Sequence, residues 1–183
     1  MFFNEYFLDK FNFKKKIPNG IVISWGNNTH NETSHNNYRM LSLPRIIYKL
    51  SPFEINKISC GVEHNIVLSS SNEAFSWGQN EGGQCAFPPT LKIIANPTKI
   101  KSLSKENIIK VTCGVEHSLA LTDKGSVYSW GKTQDGVLGY ESKNESEYIP
   151  KTIPFFSTNS IFVKDISTGS LHNIAIDTTG SIY

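Results

Sequence analysis

The chain has 183 residues, of which 18 are basic and 16 acidic, leaving a net charge of +2 with its histidines neutral. A hydrophobic fraction of 38% and a charged fraction of 19% are ordinary for a globular protein, and they lack the basic surplus that a nucleic-acid or chromatin contact would need. No apolar run approaches the roughly 20 residues that cross a bilayer. Three cysteines without a secretory signal make no disulfide framework, so no membrane contact and a reducing, cytoplasmic or nuclear location are expected.

Residues 1–19 form an aromatic and basic opening segment. Phe2, Phe3, Tyr6, Phe7, Phe11 and Phe13 precede Lys14, Lys15 and Lys16. Phe3, Phe7 and Phe11 keep helical i, i+4 spacing, which predicts a short amphipathic helix docked on the body of the protein. Glu5, Asp9 and the lack of arginine argue against a transit peptide. The lysine run reads as a solvated loop.

From residue 20 onward a set of landmarks recurs in step. "CGVEH" occurs at Cys60–His64 and again, 53 residues on, at Cys113–His117. Trp77 and Trp130 are also 53 apart, Trp25 precedes Trp77 by 52, and Pro44, Pro97 and Pro150 keep a step of 53. A further copy, "TGSLH", places His172 55 residues beyond His117. This is a repeat protein, with units at about 20–57, 58–110, 111–165 and 166–183.

Within each unit the pattern has period two. In "HSLALT", His117, Leu119 and Leu121 share one face while Ser118, Ala120 and Thr122 share the other; "HNIVLS" and "HNIAID" repeat this. A second strand follows in "ISWG", "FSWG" and "YSWG". Between the two strands, Gly125, Gly180 and, in the second unit, Asn72 occupy a turn position that needs positive φ. Further strands are expected in "IIKVTCG" and around "IPKTI". Four short strands in about 53 residues, apolar on both faces, are the dimensions of a β-propeller blade. The fold class is therefore all-β, an incomplete β-propeller of three to four four-stranded blades. Polar stretches between Trp and Pro predict surface loops at Asn27–Leu43, Gln79–Leu91 and Lys132–Tyr148, where any partner would be met.

"CGVEH" carries metal-competent side chains, so Cys60, His64, Cys113 and His117 could in principle supply a Cys2His2 zinc site. The third copy puts Thr168 in the cysteine's slot and Leu171 in the glutamate's, and equivalent positions sit one blade apart. A packed small residue and a structural histidine, bonded to neighbouring backbone, account for the motif without a ligand. Recurrence in register also argues against a catalytic Cys–His pair, and Trp25, Trp77 and Trp130 read as core residues. No P-loop, dinucleotide fingerprint or paired-carboxylate motif is present. No catalytic, cofactor-binding or metal residue is therefore assigned, and no cofactor is expected.

"VTCGVEHSLALTDKGSVYSWGKTQDGVLGY" (Val111–Tyr140) and "ISCGVEHNIVLSSSNEAFSWGQNEGGQC" (Ile58–Cys85) resemble the repeats of the regulator of chromosome condensation family, although Cys85 stands where that pattern has leucine. The first unit keeps "ISWG" but loses the glycine-rich turn in "NNTHNETSHNNYRML". The resemblance covers roughly Gly20 to Tyr183 and implies a seven-bladed ring. The next Trp in the register falls two residues past Tyr183, so the chain is expected to be part of a longer propeller, and prone to self-association if expressed alone. The resemblance implies a non-enzymatic interaction scaffold with a protein partner. Its alternative is guanine-nucleotide exchange on a small Ras-like GTPase such as Ran.

Overall fold

The computed structural model describes residues 20–36 and 38–183; the aromatic segment 1–19 and its expected helix lie outside them. The first sheet pairs β1 (Ile23–Asn27) with β2 (Met40–Ile46). The second is an antiparallel meander of β3 (Ile55–Cys60), β4 (His64–Ser69), β5 (Ala74–Gln79) and β6 (Ile93–Lys99). The third repeats it with β7 (Ile108–Cys113), β8 (His117–Thr122), β9 (Val127–Lys132) and β10 (Ser146–Thr152). The last pairs β11 (Val163–Thr168) with β12 (Asn173–Asp177). The architecture is an incomplete β-propeller, and the repeat boundaries read at 58, 111 and 166 fall inside β3, β7 and β11.

The period-two pattern decides which neighbour each side chain faces. On β4, Val67 turns to the first sheet, while Ile66 and Leu68 turn to the third. On β8, Ala120 turns back and Leu119 and Leu121 turn forward. Trp77 and Trp130 likewise pack against the preceding unit. Three apolar layers thus lie between four successive sheets. Each fully buried Leu or Ile contributes roughly 1.5–3 kcal/mol, so the interfaces between blades carry most of the stability.

The turns obey the expected backbone demand. Asn72, Gly125 and Gly180 have φ of 61°, 73° and 91° at the tips of the hairpins. Pro44, Pro97 and Pro150 lie in β2, β6 and β10, the fourth strand of each unit, where a missing donor is tolerated at a sheet edge. Consecutive units are joined by short helical turns at Tyr48–Leu50 and Lys101–Leu103 and by α1 (Pro154–Thr158). Each is pinned by a buried pair: Ile47 with Leu50, Ile100 with Leu103, Ile153 with Phe156.

Candidate interaction face

The loop after the WG strand is built the same way in each unit. Asn80, fully buried, donates from Nδ2 to the carbonyls of Phe87, Pro88 and Leu91 and accepts the Cys85 amide at 3.0 Å. Asn28 does the same in the first loop, donating to the His35 and Tyr38 carbonyls and accepting the Thr33 amide. In the third, the Thr133 hydroxyl donates to the carbonyls of Asn144 and Glu145. A serine on the preceding strand braces each loop: Ser24 to Thr33, Ser76 to Cys85 and Ser129 to Leu138, all hydroxyl to carbonyl at 2.6–2.7 Å.

The first unit lacks the glycines yet keeps the turn. Asn31 and Ser34, with φ of 61° and 59°, take the left-handed positions that Gly136 and Gly139 hold in the third unit. Asparagine tolerates that region well and serine at some cost, and Asn28 holds the loop in place. Cys85 fills the slot of Leu138, and both are buried. The described loop residues are 28–36 with 38–39, 80–92 and 133–145, so Asn27, Met40–Leu43, Gln79, Lys132 and Ser146–Tyr148 of the expected loops are strand. Their exposed surfaces include Tyr38, stacked under Arg45 at 4.3 Å, and Leu91 beside the Lys92–Glu81 pair.

The third loop is held by Glu147, buried on β10. Burial alone would raise its carboxyl pKa, but bonds from Lys151, Ser142 and Asn144 outweigh that and hold it below the usual carboxylate range.

The CGVEH residues lie behind this face and join one blade to the next. His64 Nε2 meets Ser118 Oγ at 2.9 Å, and the Ser118 hydroxyl donates onward to the Gln84 carbonyl at 2.9 Å. Ser118 can therefore only accept from His64, which fixes the Nε2–H tautomer. His117 Nε2 meets Asn173 Oδ1 at 2.9 Å, and Asn173 Nδ2 donates to the Val137 carbonyl at 2.7 Å, so the same logic holds one blade later. The indole of Trp130 adds a second bond to the Gln84 carbonyl at 2.9 Å. Trp77 and Asn65 share the Glu32 carbonyl in the same way. The histidines thus reach backbone through a side chain of the next unit, not directly as the sequence suggested.

The glycine of the motif makes room for the ring. A Cβ on Gly61 or Gly114 would sit 2.5 or 2.1 Å from Cε1 of its own histidine. Burial, with a smaller contribution from nearby His117, pushes the His64 pKa down to about 3; burial also lowers that of His117. Both rings stay neutral at physiological pH.

The two buried thiols are also poor reagents. Burial pushes the Cys113 thiol up to about 12, and that of Cys85 is raised too. The Cys113 thiol points at the Ser59 carbonyl, and Thr168, its counterpart, donates its hydroxyl to the Cys113 carbonyl at 2.9 Å. The slot takes a small donor. Trp25 departs from the core assignment, being 63% exposed while Trp77 and Trp130 are buried. Those two nest on the loop of the unit before them, and Trp25 belongs to the first described sheet.

Among the described residues, one group of three metal-competent side chains converges, and it is not the Cys/His set. His30 and Glu32 of the first loop and Glu63 of the β3–β4 turn bring their ligand atoms within 4.8 Å of one another. The contact spans 33 residues and two units, so no local spacing announces it; the H-x-E of "THNET" was the available signal. Asn28 and Asn80 were also missed, although "WGNN" and "WGQN" repeat in register.

Profiles described as Regulator of chromosome condensation (RCC1) repeat match residues 71–121 and 124–176, and a second profile of that description matches 55–84 and 108–137. The probable E3 ubiquitin-protein ligase HERC6 of Homo sapiens is 30% identical over 167 residues, covering 91% of this chain and 16% of HERC6. The crystal structure of human WBSCR16 superposes with a TM-score of 0.78 at 22% identity, over 89% of this chain and 42% of that one. Prp20p of Saccharomyces cerevisiae, a protein characterised for its binding to Gsp1p and histones, superposes with a TM-score of 0.72 at 23% identity, over 90% of this chain and 40% of that one. The chain spans less than half the length of each of these relatives.

Proposed function

Because the chain belongs to the regulator of chromosome condensation (RCC1) repeat family, we propose that it is a non-enzymatic interaction scaffold that meets a protein partner through the loops at 28–36 with 38–39, 80–92 and 133–145. One observation carries this reading. His64, His117, Cys85 and Cys113 are buried in the blades and their interfaces, while the loops are framed by internal hydrogen bonds yet differ in their exposed side chains. Rigid frames with divergent tips favour recognition, because little ordering entropy is lost on binding. A cytoplasmic or nuclear setting is part of the proposal.

The test is affinity capture with the wild-type chain and with a variant carrying Glu81→Ala, Leu91→Ala and Lys92→Ala, whose fold is checked by circular dichroism. The reading expects a protein retained by the first and lost by the second. Capture unaffected by this variant, and by Tyr38→Ala and Lys143→Ala in the other two loops, would contradict it.

The alternative, guanine-nucleotide exchange on a small GTPase, draws on the fold shared with Prp20p, which binds Gsp1p. Release of labelled GDP from Gsp1p-like GTPases separates the two. Acceleration by the purified protein would establish exchange, and its absence would leave the scaffold.

A further inference from the structure

We propose that His30, Glu32 and Glu63 form a binding site for a zinc-class divalent cation that clips the first loop to the following blade. His30 Nδ1 lies 3.2 Å from Glu63 Oε1 and 3.8 Å from Glu32 Oε1. Ligand atoms around a tetrahedral zinc, with arms of about 2.0–2.1 Å, stand about 3.4 Å apart. The two distances from His30 are therefore close to the edges of such a polyhedron, all three ligand atoms lie within 4.8 Å of one another, and a fourth position is left for water.

The site is organised by bonds outside it. The second carboxylate oxygen of Glu32 accepts the His30 backbone amide at 2.8 Å, which orients the carboxylate. The Glu32 carbonyl is held by Asn65 and Trp77 of the next unit, at 2.8 and 2.7 Å. Supports of this kind fix ligands ahead of binding. His30 Nδ1 itself is shielded from solvent and has no hydrogen-bond partner of acceptable geometry, despite the nearby carboxylates.

Comparison with the next unit shows what is missing. There the equivalent Glu116 pairs with Lys132 at 2.8 Å, a cation supplied by β9. The residue matching Lys132 in the second unit is Gln79, which is neutral, so Glu63 has no lysine at that position. Two carboxylates carry a charge that a divalent cation balances, with the imidazole nitrogen as a third ligand. The imidazole favours zinc-like ions over calcium or magnesium, which prefer all-oxygen sites.

The experiment titrates ZnCl2 into the full chain, freed of metal by dialysis against EDTA, using isothermal calorimetry, and repeats it with CaCl2. One zinc per chain is expected, with calcium weaker by about tenfold or more. His30→Gln and Glu63→Gln should each weaken zinc by about tenfold or more, since loss of even an outer-sphere support costs that much. Cys60→Ser and Cys113→Ser should leave the affinity unchanged, and circular dichroism establishes that each variant is folded. Glu32→Gln gives an independent third arm. The proposal is overturned by no zinc binding, by affinity indifferent to His30→Gln and Glu63→Gln, by loss of binding in a cysteine variant, or by calcium binding as tightly as zinc.

Discussion

Replacing Ser118 by alanine removes one hydroxyl from the centre of a relay that spans two blades. Ser118 and His64 are 0% and 1% exposed, so water cannot take over the lost bond. In Ser118→Ala the His64 Nε2–H is left buried without an acceptor, at a cost of about 1–3 kcal/mol. In His64→Phe the ring volume is kept and Ser118 still donates to Gln84, so the loss is nearer the net value of one bond, about 0.5–1.5 kcal/mol. Removing both partners leaves no orphan, and the double variant should be less destabilised than the sum by about 1–2 kcal/mol. Urea unfolding reads this directly, because Trp130 lies buried in the same interface and bonds the same Gln84 carbonyl. Additive single effects, with a coupling below about 0.5 kcal/mol, would refute the relay.

Acid should weaken the fold before the carboxylates titrate. His64 is held neutral in the folded chain, with its pKa brought from 6.5 to about 3, and His117 moves in the same direction. A depressed native pKa means that stability is complete above the unfolded value and is lost as pH falls towards the folded one, by about 3 kcal/mol from His64 between about pH 7 and pH 4. Urea midpoints measured against pH in EDTA buffer check this, and a stability that is flat or rising on acidification contradicts it. Trp130→Phe should cost about 1–3 kcal/mol by losing volume and the bond to Gln84, whereas Trp25→Phe should be neutral within about 0.5 kcal/mol because that ring is exposed. Thermal melts of the two variants compare them, and equal losses would count against the burial difference. The exposed Trp25 on the first sheet and Ile58 on β3 of the second, with Leu171 and Ile174 at the last sheet, are expected to drive self-association of the isolated chain. Light scattering after size exclusion measures it, and a monodisperse monomer would be the contrary result.

The repeat made much of this architecture legible. Leu119 and Leu121 on one face and Ala120 on the other already state that two different neighbours cover β8, because side-chain direction alternates along a strand. Asn72 likewise announced its left-handed turn. What stayed hidden depends on contacts between units. The step from His64 to Ser118 to Gln84 crosses a blade boundary, and no local pattern shows which residue a buried ring nitrogen will meet. Trp25 shares its motif with Trp130 but not its burial, since burial depends on the neighbouring unit. In the first loop the eye follows glycine, whereas the backbone follows Asn28, which closes the turn with or without one. The convergence of His30 and Glu63 likewise depends on how two turns from different units pack together.

The histidines of the repeated motif serve to join blade to blade, and nitrogen NMR of the imidazoles reads that role at the ring atoms themselves. In EDTA buffer at about pH 7, His64 and His117 should both appear as neutral Nε2–H tautomers with slowly exchanging ring protons, and His64 should remain so at about pH 5. Nδ1–H tautomers, or rings that titrate freely near the ordinary histidine value of about 6.5, would contradict it.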